Sequence, residues 1–133
     1  MSNVEVVLEV HAAVSRGDVD GLLSLAHPQI EYRSAIQLAM EGEESVFRGY
    51  AGVRRWFGEL QDLYDYIESE VVEVHEFGDR VVVFHVVRGR GVGSGVTLEQ
   101  PLAQLITLRD GKVLAVWDYF TREEALAAAG STG

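Results

Sequence analysis

An acidic residue inside an apolar segment is the first sign of chemistry in this chain. Asp118 lies in the segment VLAVWDYF, residues 113–120, where the other side chains are all apolar or aromatic. A carboxyl group buried in such surroundings has a raised pKa and can act as a general acid or base. Two other roles stay open: a structural carboxylate paired with Arg88, Arg33 or a tyrosine hydroxyl, and a solvated residue at the strand edge.

Other reactive residue types do not form a recognisable site. The four histidines are His11, His27, His75 and His85. None of them is separated from another histidine or from a carboxylate by the spacing that metal ligands have. The glycine-rich segment RGRGVGSG favours a bulged or bent strand over a phosphate cradle, because it does not join a parallel strand to a helix. We therefore expect no metal and no cofactor, and we interpret His11 as a packing residue, with a pocket role as the alternative.

Composition limits the classes of partner. The chain has 133 residues, of which 47% are hydrophobic, and we expect a single domain over residues 1–133. The net charge of −10 argues against nucleic acid and anionic membranes as partners. No apolar run is long enough to span a membrane, and the N-terminus lacks a basic cluster. Together with the absence of cysteine, these features predict a cytoplasmic protein.

The first half of the chain has the period of helices that could support a site. Residues 3–16 and 50–64 place apolar side chains at helical spacing, and Gly17 is a plausible stop for the first helix. The segment 29–34 alternates in polarity and predicts a strand. Residues 35–49 are irregular and partly acidic, and we expect a mobile loop over an opening there.

The second half of the chain changes to a period of two residues, which is typical of strands. Turn signals at Gly78-Asp79 and Asp110-Gly111 separate neighbouring strands, and a short alanine-rich helix follows Thr121. Helices come first and a long antiparallel meander follows. This order predicts an α+β domain in which helices pack on one face of a curved sheet, forming a cone with an open mouth.

The order and spacing of these segments resemble a known superfamily. The resemblance is carried by RGDVDGLLSL, HPQIEYRS, FRGYAGVRRWF, GDRVVVF, LRDGKV and DYFTREEALAAAG. In this order they look like the SnoaL-like branch of the NTF2-like (nuclear transport factor 2-like) superfamily. The resemblance implies a cone-shaped α+β barrel, with helices in the concavity of a strongly curved, mostly antiparallel sheet. It also implies a hydrophobic pocket and a homodimer, but it does not fix the function, because this fold supports several unrelated activities.

The resemblance also implies which side chains face the inside of the cone. Facing inward are Asp118, Gln104, Tyr32 and Ser34. Facing outward are Trp117, Tyr119, Leu105 and His85, and so apolar an outer face predicts a buried surface between two copies. The predicted ligand pocket consists of Tyr32, Ser34, Trp56, Phe57, Phe84, Val86, Arg88, Gln104, Ile106, Val116 and Phe120, with Asp118 as the candidate catalytic residue.

The activities of similar proteins fit these positions unequally. The positions that a ketosteroid isomerase uses hold Ser34, Val10 and Gln104, so that activity is not expected. A limonene-epoxide-type hydrolase uses an Asp–Arg–Asp set, of which Asp118 and Arg88 supply only a fragment. A SnoaL-type polyketide cyclase uses an acid on the last strand and a histidine on its neighbour. Asp118 matches the acid, but Gln104 occupies the histidine position.

Three functions are compatible with these residues. The first is the binding of a small apolar organic molecule in the cone, without assured catalysis. The second is an enzyme of the cyclase, isomerase or epoxide-hydrolase type that uses Asp118 as acid or base, with Gln104, Tyr32 and Arg88 orienting the substrate. The third is a protein-interaction adaptor whose cone is filled by its own side chains, which the pocket volume distinguishes from the other two.

Overall fold

Four helices and six strands make up the part of the chain described by the computed structural model, residues 1–35 and 46–130. The helices are α1 (Asn3–Ser15), α2 (Val19–Ser24), α3 (Gly49–Leu63) and α4 (Arg122–Gly130). The strands are β1 (Ala26–Arg33), β2 (Val46–Arg48), β3 (Tyr64–Phe77), β4 (Arg80–Gly91), β5 (Thr97–Arg109) and β6 (Lys112–Tyr119). The loop expected at residues 35–49 lies largely outside the described residues. No described helix is both long and apolar enough to cross a membrane.

The strands form a single sheet in the order β2-β1-β6-β5-β4-β3. Neighbours are antiparallel except β1 and β6, which run parallel, so the predicted α+β class with a mostly antiparallel sheet is confirmed. The turn between β5 and β6 has left-handed backbone at Asp110 (φ 52°) and at Gly111 (φ 75°). Aspartate and glycine tolerate this conformation, which matches the right-handed twist of a two-residue hairpin.

Local capping explains where the first two helices begin. Ser2 Oγ accepts a hydrogen bond from the Glu5 backbone N–H at 3.1 Å, and Glu5 Oε1 accepts one from the Ser2 backbone N–H at 3.0 Å. This reciprocal pair is a capping box. Beyond the end of α1, Gly17 has a φ of +70°, which confirms the predicted helix stop. Asp18 then caps α2 by accepting from the Gly21 N–H at 2.8 Å.

The inner face of the sheet packs against α1 and α3. Val7 of α1 and Val53 of α3 are completely or almost completely buried against the sheet, and Trp56 and Phe57 lie in the same apolar cluster. These helices therefore occupy the concave side of the sheet, where the resemblance places the pocket.

Helix α4 covers part of the outer face of the sheet. It forms a second apolar cluster with strand residues, which comprises Val82, Phe84, Ala103, Leu105, Ala125 and Ala129. Leu105 is only 6% exposed as a result. The expectation that Leu105 is available to a second copy is therefore wrong, because the chain's own C-terminal helix covers it.

The part of the outer face that α4 does not fully cover contains two half-buried aromatic residues, Trp117 and Tyr119, and Tyr119 also packs against the α4 cluster. The Arg33 guanidinium lies over both rings, at 4.8 Å from the centroid of Trp117 and 5.1 Å from that of Tyr119. Such stacking is favourable for arginine, because its planar cation is weakly hydrated. Trp117 and Tyr119 do face outward, as the sequence predicts.

Candidate functional site

Asp118 is the central acceptor of a buried hydrogen-bond network on the inner face of β6. Its side chain is 4% exposed, so the interpretation as a solvated edge residue is wrong. Oδ1 accepts from Gln104 Nε2 at 2.8 Å, and Oδ2 accepts from the Tyr32 hydroxyl at 3.0 Å and from the Ala35 backbone N–H at 3.1 Å. Strand register explains the arrangement, because Gln104 on β5 lies directly opposite Asp118.

The environment of Asp118 has opposing effects on its acidity. Burial raises the pKa of the Asp118 carboxyl from its ordinary value of 3.8 to about 6. The hydrogen bonds from Ala35, Gln104 and Tyr32, and the charge of Arg33, lower the pKa but do not cancel the effect of burial. Asp118 therefore has the partners of a structural carboxylate and the raised pKa that acid–base catalysis requires.

Arg88 is not a partner of Asp118. It lies on the outer face, where its Nη1 contacts Glu70 Oε1 at 3.0 Å and its Nε contacts Glu99 Oε2 at 3.2 Å. Glu70 and Glu99 belong to the two strands that flank β4, so the predicted pairing with Asp118 is wrong. Neither Arg88 nor any other arginine or lysine lines the inner cavity in the described part of the chain.

The predicted inner and outer faces of β4 were exchanged, and this affects other predicted pocket residues on that strand. Val83 pairs with Gln104, so the inward side chains of β4 are those in step with Val83, including His85. Phe84 and Val86 therefore face outward and do not line the inner cavity. Phe120 lies beyond the end of β6 with 46% of its surface exposed, and it does not line the cavity either.

His85 instead belongs to a cluster with His11 and Ser69. The Ser69 Oγ lies 2.6 Å from His11 Nδ1 and 2.9 Å from His85 Nδ1, and the two rings pack edge to face with centroids 4.8 Å apart. Both histidines are buried, with 5% of His11 and 4% of His85 exposed. The placement of His85 on the outer face is therefore corrected, and His11 lines the cavity, as in the alternative to a packing role.

Burial keeps both of these histidines neutral. It lowers the pKa of His11 from 6.5 to about 4, and the Gln104 side chain opposes this change. It lowers the pKa of His85 from 6.5 to about 3, and the nearby His11 adds to the effect. At neutral pH the cluster therefore consists of two uncharged imidazoles and one hydroxyl.

Sequence reasoning did not find Ser69. It lies on β3 opposite Val87 of β4, so its side chain shares the inner face of the sheet with the side chains of Val87 and His85. The available signal was the alternation Ile67, Ser69, Val71, in which a small hydroxyl side chain replaces an apolar one. The pairing of β3 with β4 is needed to turn that signal into a position in the cavity.

The Asp118 hydrogen-bond network and the cluster of His11, Ser69 and His85 line the same cavity, which has a volume of about 60 Å³. That volume holds about five water molecules and is smaller than the roughly 150 Å³ cavity that binds benzene, so a bound molecule has at most one ring. Of the predicted pocket residues, those that line it are Tyr32, Trp56, Gln104, Ile106, Val116 and Asp118. Ser34 and Phe57 are buried but do not line it, and Phe57 packs edge-on against Trp56 instead, with ring centroids 5.8 Å apart.

Several polar atoms of the cavity lining have no hydrogen-bond partner among residues 1–35 and 46–130. These atoms are His11 Nε2, His85 Nε2, Trp56 Nε1 and Gln104 Oε1. A buried polar atom without a partner costs about 1–3 kcal/mol, so a molecule that pairs with these atoms recovers that free energy on binding. No group of three or more metal-ligating side chains occurs in the same residue ranges.

The profile of the SnoaL-like domain matches residues 7–116, which is most of the chain. The chain belongs to the SnoaL-like family. No curated protein matches this SnoaL-like chain at a significant level. Its membership confirms the resemblance seen in the order of the sequence segments.

Solved structures share the SnoaL-like fold of this chain over almost its whole length. TerC, co-crystallized with polyporic acid, is 26% identical with a TM-score of 0.78, and the match covers 96% of this chain and 97% of TerC. A putative SnoaL-like polyketide cyclase from Jannaschia sp. CCS1 is 21% identical with a TM-score of 0.72, covering 97% and 92%. A Catenulispora acidiphila protein with a ketosteroid isomerase-like fold, in complex with trimethylamine, is 20% identical with a TM-score of 0.77, covering 95% and 92%.

The ketosteroid isomerase positions of this SnoaL-like chain do not form an acid–base set. Val10 and Gln104 line the cavity, and Ser34 is buried. Valine has no proton to donate, and glutamine does not titrate. A cavity of about 60 Å³ is also far smaller than a four-ring steroid.

Proposed function

We propose that this SnoaL-like protein binds a small, largely apolar organic molecule in the inner cavity and orients it by hydrogen bonds. The observation that carries the proposal is the set of unpartnered polar atoms on an otherwise apolar lining: Nε2 of His11, Nε2 of His85 and Oε1 of Gln104. Binding sites for small molecules combine an apolar lining with a few such groups. A cone filled by its own side chains, as in the adaptor hypothesis, has neither this space nor these free groups.

The chemistry of the lining favours a neutral ligand. Among the described residues, the acid whose side chain faces the cavity is Asp118, because Glu68 lies opposite Arg88 on the outward side of its strand, and no arginine or lysine lines the cavity. An anion would therefore meet a carboxyl group with no cation in the lining. A single-ring compound with hydroxyl or carbonyl substituents matches both the volume and the unpartnered atoms. Crystals of TerC with polyporic acid and of the Catenulispora protein with trimethylamine support small organic molecules as ligands of this fold.

Acid–base catalysis by Asp118 is the second candidate function. The specific observation in its favour is that burial raises the pKa of Asp118 to about 6, close to the pH of a cell interior. In this function Tyr32 and Gln104 hold the carboxyl in place, and a cyclase or isomerase reaction fits better than epoxide hydrolysis. The hydrolase needs an arginine beside the aspartate, and Arg88 lies on the opposite face of the sheet.

A thermal-shift screen tests the binding proposal. The compounds are phenol, catechol, 4-hydroxyacetophenone, polyporic acid and trimethylamine. We expect at least one neutral aromatic compound to raise Tm, because a ligand at 100 times its Kd stabilises by about 2.7 kcal/mol. The variant Val10→Phe, which fills the cavity from α1, should abolish the shift. Leu8→Phe on the exposed side of α1 is the matched control and should keep it. Equal shifts in the two variants would place binding outside the cavity.

We also propose that the protein is a homodimer that pairs through the uncovered outer face of the sheet. Half-buried Trp117 and Tyr119 and exposed Phe120 support this surface. Light scattering at micromolar concentration should give twice the chain mass. Trp117→Glu should dissociate the dimer, whereas Val92→Glu, an exposed control in the turn after β4, should not. A monomeric wild type would refute the proposal.

A further inference from the structure

Ser69 imposes a constraint on the protonation of its two histidine neighbours. Its hydroxyl oxygen lies within hydrogen-bond distance of Nδ1 on both His11 and His85, at 2.6 and 2.9 Å. A serine hydroxyl carries one proton, so it donates to one ring and accepts from the other. A neutral imidazole carries one proton on its two nitrogens. The two rings must therefore be opposite tautomers.

This constraint determines what the two rings present to the cavity. The ring that accepts from Ser69 carries its own proton on Nε2, and the ring that donates to Ser69 has an unprotonated Nε2. Both Nε2 atoms are buried without a hydrogen-bond partner in the described part of the chain, and both histidines line the cavity. The cavity therefore contains one imidazole donor and one imidazole acceptor, linked through a single hydroxyl.

The position of Ser69 is fixed by the first helix. The Ser69 backbone N–H donates to Ser15 Oγ at 2.9 Å, and Ser15 Oγ donates to the Ser69 carbonyl oxygen at 3.4 Å. His11 lies one helical turn before Ser15 on α1, so the same helix supplies one ring and holds the serine. The edge-to-face packing of the two rings limits their rotation.

We propose that His11, Ser69 and His85 form a proton relay that interconverts the keto and enol forms of a neutral carbonyl compound bound in the cavity. The proposal rests on the ligand-binding function proposed above and adds to it the class of substrate. That class is a ketone about the size of one ring, with a hydrogen on the carbon next to the carbonyl.

The relay is balanced in atoms and charge. The unprotonated Nε2 takes the proton from the carbon next to the carbonyl, and the proton on Nδ1 of that ring passes to Ser69 Oγ. The Ser69 proton passes to Nδ1 of the second ring, whose Nε2 proton goes to the carbonyl oxygen. A C–H bond is broken and an O–H bond is formed, and C=C replaces C=O. The tautomers of the two rings are exchanged, and the reverse reaction restores them.

A neutral relay suits a buried site. The initial and final states contain no imidazolium ion, which burial of these two rings disfavours. In the described part of the chain, the other titratable side chains that face the cavity are those of Tyr32 and Asp118, and the Gln104 side chain lies between Asp118 and His11. The relay uses none of these groups, so it is separable from acid–base catalysis by Asp118.

Nuclear magnetic resonance of the ligand-free protein tests the constraint directly. With ¹⁵N-labelled histidine at neutral pH, we expect one ring of the His11–His85 pair to be protonated on Nδ1 and the other on Nε2. Ser69→Ala should remove this linkage, and Ser69→Thr, which keeps the hydroxyl on the strand, should preserve it. Two rings with the same tautomer, or a charged ring, would overturn the relay even if ligands bind.

Deuterium exchange tests the chemistry. In D₂O, the wild type should accelerate exchange of the carbon-bound hydrogens next to the carbonyl of cyclopentanone, a neutral ketone with one ring. Ser69→Ala, His11→Phe and His85→Phe should each lose about 100-fold, because the relay needs all three groups. Ser69→Thr should restore the rate, and His27→Gln, at a position that does not line the cavity, should leave it unchanged. A Tm shift with cyclopentanone but no exchange would overturn the relay alone. No shift with any compound of the screen would overturn the binding proposal, and no shift with cyclopentanone alone would overturn the substrate class.

Discussion

Replacing Asp118 by alanine will lower the free energy of unfolding by about 3–5 kcal/mol. The substitution removes the common acceptor of three buried donors, which are the Tyr32 hydroxyl, the Ala35 N–H and Gln104 Nε2. Each unpaired donor costs about 1–3 kcal/mol, and partial relaxation of the site keeps the total below the sum of the largest values. Urea denaturation followed by circular dichroism measures the loss.

Asp118→Asn is the matched control for this prediction. The asparagine oxygen can accept from Tyr32 and Ala35, and its amide faces Gln104. The Gln104 amide can turn so that Oε1, which has no partner in residues 1–35 and 46–130, accepts from the new N–H. We therefore expect a loss of less than about 1 kcal/mol. If asparagine were as destabilising as alanine, the negative charge itself would be essential, and Arg33 would be its partner.

The same control separates the two candidate functions. If Asp118 is a general acid or base, Asp118→Asn abolishes turnover while the fold and the affinity for a neutral ligand are kept. If Asp118 only holds the cavity together, ligand affinity and any activity both survive the substitution. Measuring Tm shifts and turnover on one preparation of this variant therefore decides between them.

A second large effect is expected on acidification: the free energy of unfolding should fall by about 1.4 kcal/mol per pH unit between about pH 6 and 4.5. The folded-state pKa values of His11 and His85, about 4 and 3, lie below the ordinary 6.5, so the unfolded chain takes up protons first. Their stabilisation is complete above the unfolded pKa and is lost as the pH falls. Asp118 acts in the opposite sense, because its folded pKa of about 6 exceeds 3.8 and its stabilisation is lost as the pH rises. The two histidines change the free energy of unfolding with pH more than the single carboxyl group does, so the net stability falls as the pH falls.

Variants change this slope in predictable ways. Asp118→Asn removes the opposing group, so the slope should double to about 2.7 kcal/mol per pH unit. His85→Phe leaves one histidine against one carboxyl, so the slope should fall close to zero. His27→Gln is the control, because His27 does not line the cavity, and it should leave the slope unchanged. A wild-type stability that does not vary over this pH range would contradict two buried, neutral histidines.

The fold was predictable because its signals are local or repeated. Helical spacing marks α1 and α3, the period of two marks β3 to β6, and the turns at Gly78 and Gly111 have positive φ, as glycine permits. The inward orientation of Asp118 and Gln104 also followed from the resemblance to the family, but their direct pairing did not, because it depends on a register shift between Thr107 and Leu108.

The rest of the site depends on contacts that no local pattern contains. Both faces of β4 are apolar, so alternation gives no sign of which face is inside, and only the pairing of Val83 with Gln104 decides it. Because of this ambiguity, Phe84 was predicted to face inward and His85 outward, and Arg88 was predicted to pair with Asp118. Ser69 joins the site only because α1 packs against β3.

The sheet has apolar side chains on both faces over β4, β5 and β6, and this has a consequence for how the chain can change. Consecutive residues of β5 and β6 belong to different layers, because Gln104 and Asp118 face the cavity while Leu105 and Trp117 face outward. Selection for a new ligand therefore acts on alternate positions, and selection on the outer surface acts on the positions between them. Substitutions in one set therefore change the cavity lining and leave the side chains of the outer layer in place.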